Sequence, residues 1–108
     1  MELSEVARHW LAAATRSAAG ELVARPLAGS TSSTILLVEA RRARAERFVL
    51  RLLDNARWLA QEPDLAEHEA SALVEARRAG LASPELVAHG GAEAGFGVPV
   101  VLMSFVEG

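Results

Sequence analysis

The stretch Arg47-Phe48-Val49-Leu50-Arg51-Leu52-Leu53 sets an arginine in the middle of an apolar run. Its length and its share of bulky apolar residues predict a strand. Side chains alternate between the two faces of a strand. Phe48, Leu50 and Leu52 therefore share one apolar face, which belongs to the core. Val49, Arg51 and Leu53 share the other. A sheet built on this strand is apolar on both faces, with one cation set into the second. Such a cation needs an anion opposite it or a route to solvent.

Working outward, 34–40 (TILLVEA) predicts a strand before it, joined through the charged turn 41–46 (RRARAE). Residues 21–28 (ELVARPLA) predict a further strand, which Pro26 consigns to a sheet edge. The polar break Gly29-Ser30-Thr31-Ser32-Ser33 separates the two. At the front, Leu3, Val6, Ala7, Trp10, Leu11 and Ala14 recur at helical spacing, predicting an amphipathic helix over 4–18, with Gly20 as its stop. After the arginine strand, 54–63 reads as irregular and ends in Pro63. Asp64 and Glu67 form a capping-box pattern for a helix running to about Ala79, with Arg77 and Arg78 suited to its negative end. A strand at 85–89, a glycine-rich turn at 90–97 (GGAEAGFG) and a strand at 98–106 complete the chain. The fold class is α+β: a five-stranded antiparallel sheet with one packed helix, plus the N-terminal amphipathic helix. The chain divides into the helix, 1–20, and the sheet unit, 21–108.

The helix after Asp64 bears on the arginine. Leu65, Glu69, Ala72, Leu73 and Ala76 fall on one stripe. Glu69 is thus an acid within an apolar stripe, as Arg51 is a cation within an apolar face. Two arrangements fit this pattern. Either the two charges pair, or Arg51 reaches solvent at a sheet edge while Glu69 sits at the margin of a wide stripe.

Composition narrows the function. At 108 residues, 51% hydrophobic and 23% charged, the chain reads as one ordinary globular domain. It has no cysteine, which excludes disulfides, thiolate metal sites and a thiol nucleophile, and which suits the cytoplasm. All eleven basic residues are arginine, yet the net charge is −3 and there is no basic stripe for nucleic acid. The stretch MELSEVARHW (1–10) does not read as a signal peptide, and no apolar run approaches the length expected of a membrane span. The glycines of 90–97 precede a strand, whereas a dinucleotide phosphate loop follows a strand and opens a helix, so they read as a hairpin turn. His9, His68 and His89 lack metal-ligand spacing.

Three pieces, in this order and spacing, resemble the N-terminal lobe of the aminoglycoside phosphotransferase and choline kinase-like superfamily, which has the protein-kinase-like fold. They are PLAGSTSSTILLVEA (26–40) leading into RFVLRLL, then EHEASALVEARRAGLASPELVAHG (67–90), then VPVVLMSFVEG (98–108). The likeness covers about residues 20–108. It implies that Arg51 is the cation for the nucleotide phosphates and that Glu69 orients it. It further implies that Val49 roofs the adenine and that Gly29, Ser30, Thr31, Ser32 and Ser33 form the loop over the phosphates. Met103 would lie at the back of the adenine pocket. The Ser104 carbonyl and the Val106 N–H would be the hinge groups that bind adenine, with the side chains at both positions mattering little.

The implied function is the nucleotide-binding lobe of an ATP-dependent phosphotransferase acting on a small-molecule hydroxyl, with ATP or GTP and Mg²⁺ as cofactors. Phosphoryl transfer needs a residue that positions the hydroxyl and acids that hold the metal. The family supplies these from a later lobe, in H-x-D-x-x-x-x-N and a following acidic motif. Here only Asp54 and Asp64 are aspartates, and neither sits in such a motif. The expectation is therefore that this chain contains no catalytic residue and no metal ligand, that the catalytic lobe is absent from it, and that the lone lobe tends to self-associate through the apolar face carrying Val49. An aminoglycoside, choline, a sugar or an amino alcohol all remain open as acceptor. The alternative is a stand-alone, non-catalytic binding or interaction module of the same shape.

Overall fold

The computed structural model describes residues 3–27, 34–41, 45–54, 56–80 and 83–105. In chain order the elements are helix α1 (Glu5–Thr15), strands β1 (Leu22–Pro26), β2 (Thr34–Ala40) and β3 (Glu46–Leu52), helices α2 (Ala56–Gln61) and α3 (Leu65–Arg78), and strands β4 (Leu86–Gly90) and β5 (Val100–Ser104). The strands form one antiparallel sheet in the order β1-β2-β3-β5-β4. The architecture is α+β with a five-stranded antiparallel sheet. β3 is the central strand, and β1, with Pro26 at its end, is an edge strand.

The two faces of β3 behave as its alternation dictates. Phe48, Leu50 and Leu52 are buried, and they join Leu22, Ala24, Leu36, Val38, Ala40, Val100 and Leu102 in the larger core. That core is closed by α1 through Ala7 and Leu11, with Leu3 just ahead of the helix. The N-terminal helix is thus the lid of the main core. Ser4 caps it, its hydroxyl accepting the Ala7 N–H and donating to the Gly95 carbonyl. Arg8 fastens it at the other side, one guanidinium nitrogen donating to the carbonyls of Ala19 and Leu22, each at 2.9 Å. On the opposite face, Leu53 and Val101 bury against Ala66 of α3, with Leu65, Leu73, Leu86 and Met103 around them. The sheet therefore lies between two helices, one on each face.

Four local expectations are corrected. α1 stops before Gly20: buried Thr15 turns its hydroxyl back onto the Leu11 carbonyl at 2.7 Å, and Arg16 takes a left-handed conformation, φ 55°. Residues 56–61 are helical, as a run of good helix formers (ARWLAQ) ahead of Pro63 allows. Asp64 precedes α3, but its side chain makes no capping bond, because His68 one turn on draws its carboxylate to 3.0 Å. The stripe of α3 is also rotated from the one expected. Ala66 and Ala70 are its buried residues and Ala72 is exposed, while Leu65, Glu69, Leu73 and Ala76 are half-buried. Two alanines at the contact let the helix backbone approach the sheet closely.

Gly90 to Gly97 joins two adjacent antiparallel strands, so it is a hairpin connection, with a short 3-10 turn at Ala92–Ala94 inside it. The Glu93 carboxylate accepts the Gly91 N–H at 2.9 Å, and this bond holds its carboxyl below the usual range. Among the described residues no helix is long and apolar enough to cross a membrane.

Candidate functional site

Arg51 sits on the second face of β3, opposite Ile35 of β2 and Val101 of β5. Its Nη1 donates to Oε1 of Glu69 at 2.9 Å. The question raised by the strand is thus answered by the helix: the cation is set into an apolar face because α3 brings a carboxylate to it. The two side chains are 26% and 31% exposed, so the pair is half-buried. Desolvation is then partial, and water still reaches both charges. Glu69 can share the α3 stripe with alanines because its long stem crosses the helix margin to the sheet.

Val49 lies two residues before Arg51 on the same face, half-buried, opposite Leu37 and Met103. The structure therefore brings together Val49, Arg51, Glu69 and Met103. Gly29, Ser30, Thr31, Ser32 and Ser33 lie outside the described residues, as does Val106. On the face that carries Val49 the exposure is mixed, with Val23 exposed and Ile35 half-buried. Leu37 and Val101 of this face are buried, and Val49 and Met103 are half-buried. Among the described residues the exposed large apolar side chains are Val6, Val23 and Val74.

Ser104 departs from its expected role in one respect. It pairs opposite Phe48, so it belongs to the other face from Arg51. Its N–H donates to the Glu85 carbonyl at 2.9 Å, and its hydroxyl oxygen accepts the Glu85 N–H at 2.8 Å. The side chain is therefore engaged in the fold. Ser104→Ala is expected to cost about 1 kcal/mol, the typical net worth of one such bond. A denaturant midpoint equal to that of the unaltered chain would show that the bond is not made in solution. Beyond Ser104, the Phe105 ring lies under the Arg47 guanidinium, 5.6 Å from its centroid.

One contact near the pair had not been anticipated. Asp54, just past β3, accepts the Thr34 N–H at 3.2 Å through one oxygen and the Thr34 hydroxyl through the other. The signal available in the sequence was slight: one of two aspartates, directly after a strand, with a threonine opening the strand before it.

Two clefts lie away from the pair. One, of about 450 Å³, runs between α3 and β4 and is lined by Ala70, Val74, Leu86, Glu67, Glu75 and His89. The other, of about 200 Å³, adjoins it near Gly90, Gly91 and Pro99. Neither is lined by Val49, Arg51 or Met103. Among the described residues no three histidine, aspartate or glutamate side chains are grouped to hold a metal ion. His9, His68 and His89 are all exposed, and His68 lies between Glu62 and Asp64.

In chemical terms, the second face offers a planar cation with five N–H donors, one of which the Glu69 carboxylate accepts. Such a fork matches the oxygens of a phosphate, and the apolar residues beside it match the face of a base. No family model matches the chain, and neither does any curated protein or solved structure.

Proposed function

We propose that the chain is the nucleotide-binding lobe of an ATP-dependent phosphotransferase of the aminoglycoside phosphotransferase and choline kinase-like kind, acting on a small-molecule hydroxyl. The observation that carries this reading is the Arg51–Glu69 pair: a sheet arginine oriented by a helix carboxylate at 2.9 Å, with apolar Val49 and Met103 beside it. In this reading Arg51 holds nucleotide phosphate oxygens bidentately and Glu69 fixes the plane of its fork. Val49 covers the adenine, with Met103 behind it. The backbone of Ser104 and Val106 holds the base edge, and residues 29–33 cover the phosphates. ATP or GTP with Mg²⁺ is the cofactor. The groups that position the hydroxyl and hold the metal come from a following lobe, and the setting is cytoplasmic.

The reading is tested on the chain as it stands. The Arg51 Nε–H resonance of labelled protein is followed by NMR during titration with Mg-ATP. A saturable shift is expected, in the millimolar range because one wall of the cleft lies in the other lobe. In Arg51→Ala, which lacks that resonance, the Val49 and Met103 resonances are followed instead, and they should respond to Mg-ATP more weakly than they do in the parent. Arg51→Lys should bind less tightly than the parent, since a point charge cannot replace a planar fork. An Arg51 resonance indifferent to Mg-ATP and Mg-GTP overturns the reading.

A further inference from the structure

We infer that Asp54 is a positioning residue for Arg51, acting by clamping the start of β2 to the end of β3. The inference rests on the nucleotide-site reading above. In the β2–β3 ladder, Thr34 opposite Leu52 is the outermost rung, and Ile35 opposite Arg51 is the next one in. The outermost rungs of a ladder are where strands fray. Here the end is fastened from both sides. On one side the Asp54 carboxylate takes both the Thr34 N–H and the Thr34 hydroxyl, joining residues 20 apart in the chain. On the other, the Leu53 N–H donates to the Pro99 carbonyl at 2.9 Å and extends the β3–β5 ladder past its last rung at Val100. The Arg51 backbone is thus held between two anchors, each within a few residues of it.

These anchors and Glu69 do different work. Glu69 sets the direction of the guanidinium, while the Asp54 clamp sets where the side chain starts. A phosphate fork must be right in both respects, since small misplacements of a charged donor are expensive in binding. Asp54 itself is exposed, so its bonds to Thr34 contribute little to global stability. Its loss should therefore appear in nucleotide binding more than in melting.

The experiment is the same Mg-ATP titration, on Asp54→Ala, Thr34→Val and Thr34→Ser. Asp54→Ala and Thr34→Val are expected to weaken the Arg51 response by about three- to tenfold. Thr34→Ser keeps the hydroxyl and the N–H and should restore parental binding. A double-mutant cycle separates positioning from a general structural effect. In an Arg51→Ala background, Asp54→Ala should change the residual binding no further. If the parent responds to Mg-ATP and Asp54→Ala responds equally, the inference is overturned while the site reading stands. Equal further loss in the Arg51→Ala background also overturns it, by showing that Asp54 does not act through Arg51. If the parent does not respond at all, the site reading fails and the inference falls with it.

Discussion

Gly95→Ala is expected to destabilise the protein by about 2–5 kcal/mol, combining left-handed strain with overpacking. For a chain of this size that lowers Tm by more than about 10 °C. Two effects add. Gly95 has φ +100°, a conformation that L side chains rarely adopt, and a Cβ built there would lie 2.5 Å from the Ala7 nitrogen and 3.0 Å from the Val6 carbonyl carbon. Those are backbone atoms of α1, so no rotamer change relieves the clash. The helix would have to move, and it is the lid of the larger core through Ala7 and Leu11. Gly97 supplies the control. Its φ is +78°, but a Cβ there meets nothing within 4 Å. Gly97→Ala should therefore show the conformational part alone, about 1–2 kcal/mol. Thermal melts of the two variants side by side measure the difference. Equal losses would mean that the β4–β5 turn does not carry α1.

Much of this arrangement was legible in the sequence because it follows from alternation. β3 has a period of two with apolar residues on both faces, and the structure buries one face and half-buries the other. Residues 34–40 were read as a strand with the same bounds that β2 has. Pro26 marks an edge, and β1 is one. The Arg51–Glu69 pair was only half legible: each charge interrupts an apolar surface of its own element, but that pattern fits a solvent-reaching arginine equally, and the structure shows the pair. What escaped were contacts with no pattern around them, some local and some between residues remote in sequence. The end of α1 is set by Arg16, left-handed with its N–H on the Ala12 carbonyl, not by the glycine nearby. Asp64 looks like a cap until His68 competes for it. The rotation of the α3 stripe depends on how closely Ala66 and Ala70 let the helix approach, which no periodicity encodes. The Asp54–Thr34 clamp joins two polar residues at strand ends, where sequence patterns carry the least information. The turn glycines announced a hairpin but not that Gly95 touches α1, because that contact spans nearly the whole chain.

Glu69→Ala is expected to weaken nucleotide binding by roughly ten- to a hundredfold, since a misaimed Arg51 fork forfeits a charge-assisted hydrogen bond to phosphate, worth about 1.5–3 kcal/mol. The stability loss should be smaller, about 1–2 kcal/mol. A fully buried pair broken on one side would lose more, but these side chains are 26% and 31% exposed, so water partly compensates the abandoned guanidinium. The effect on binding outruns the effect on folding because orientation is the function assigned to Glu69. Without it, the Arg51 fork samples rotamers over the face that carries Val49 and Met103, and only a fraction of them present two N–H groups to one phosphate. Glu69→Gln separates charge from geometry. Its amide oxygen can still accept the Nη1 hydrogen bond, so the fork stays aimed while the neutralising charge is lost. The expected order of Mg-ATP affinity is therefore parent, then Glu69→Gln, then Glu69→Ala, with melting temperatures following the same order over a narrower range. If Glu69→Gln binds as poorly as Glu69→Ala, the carboxylate acts through its charge and the orienting role is wrong. If both variants bind as the parent does, the pair is a structural tie between α3 and β3 and Arg51 is not the phosphate cation.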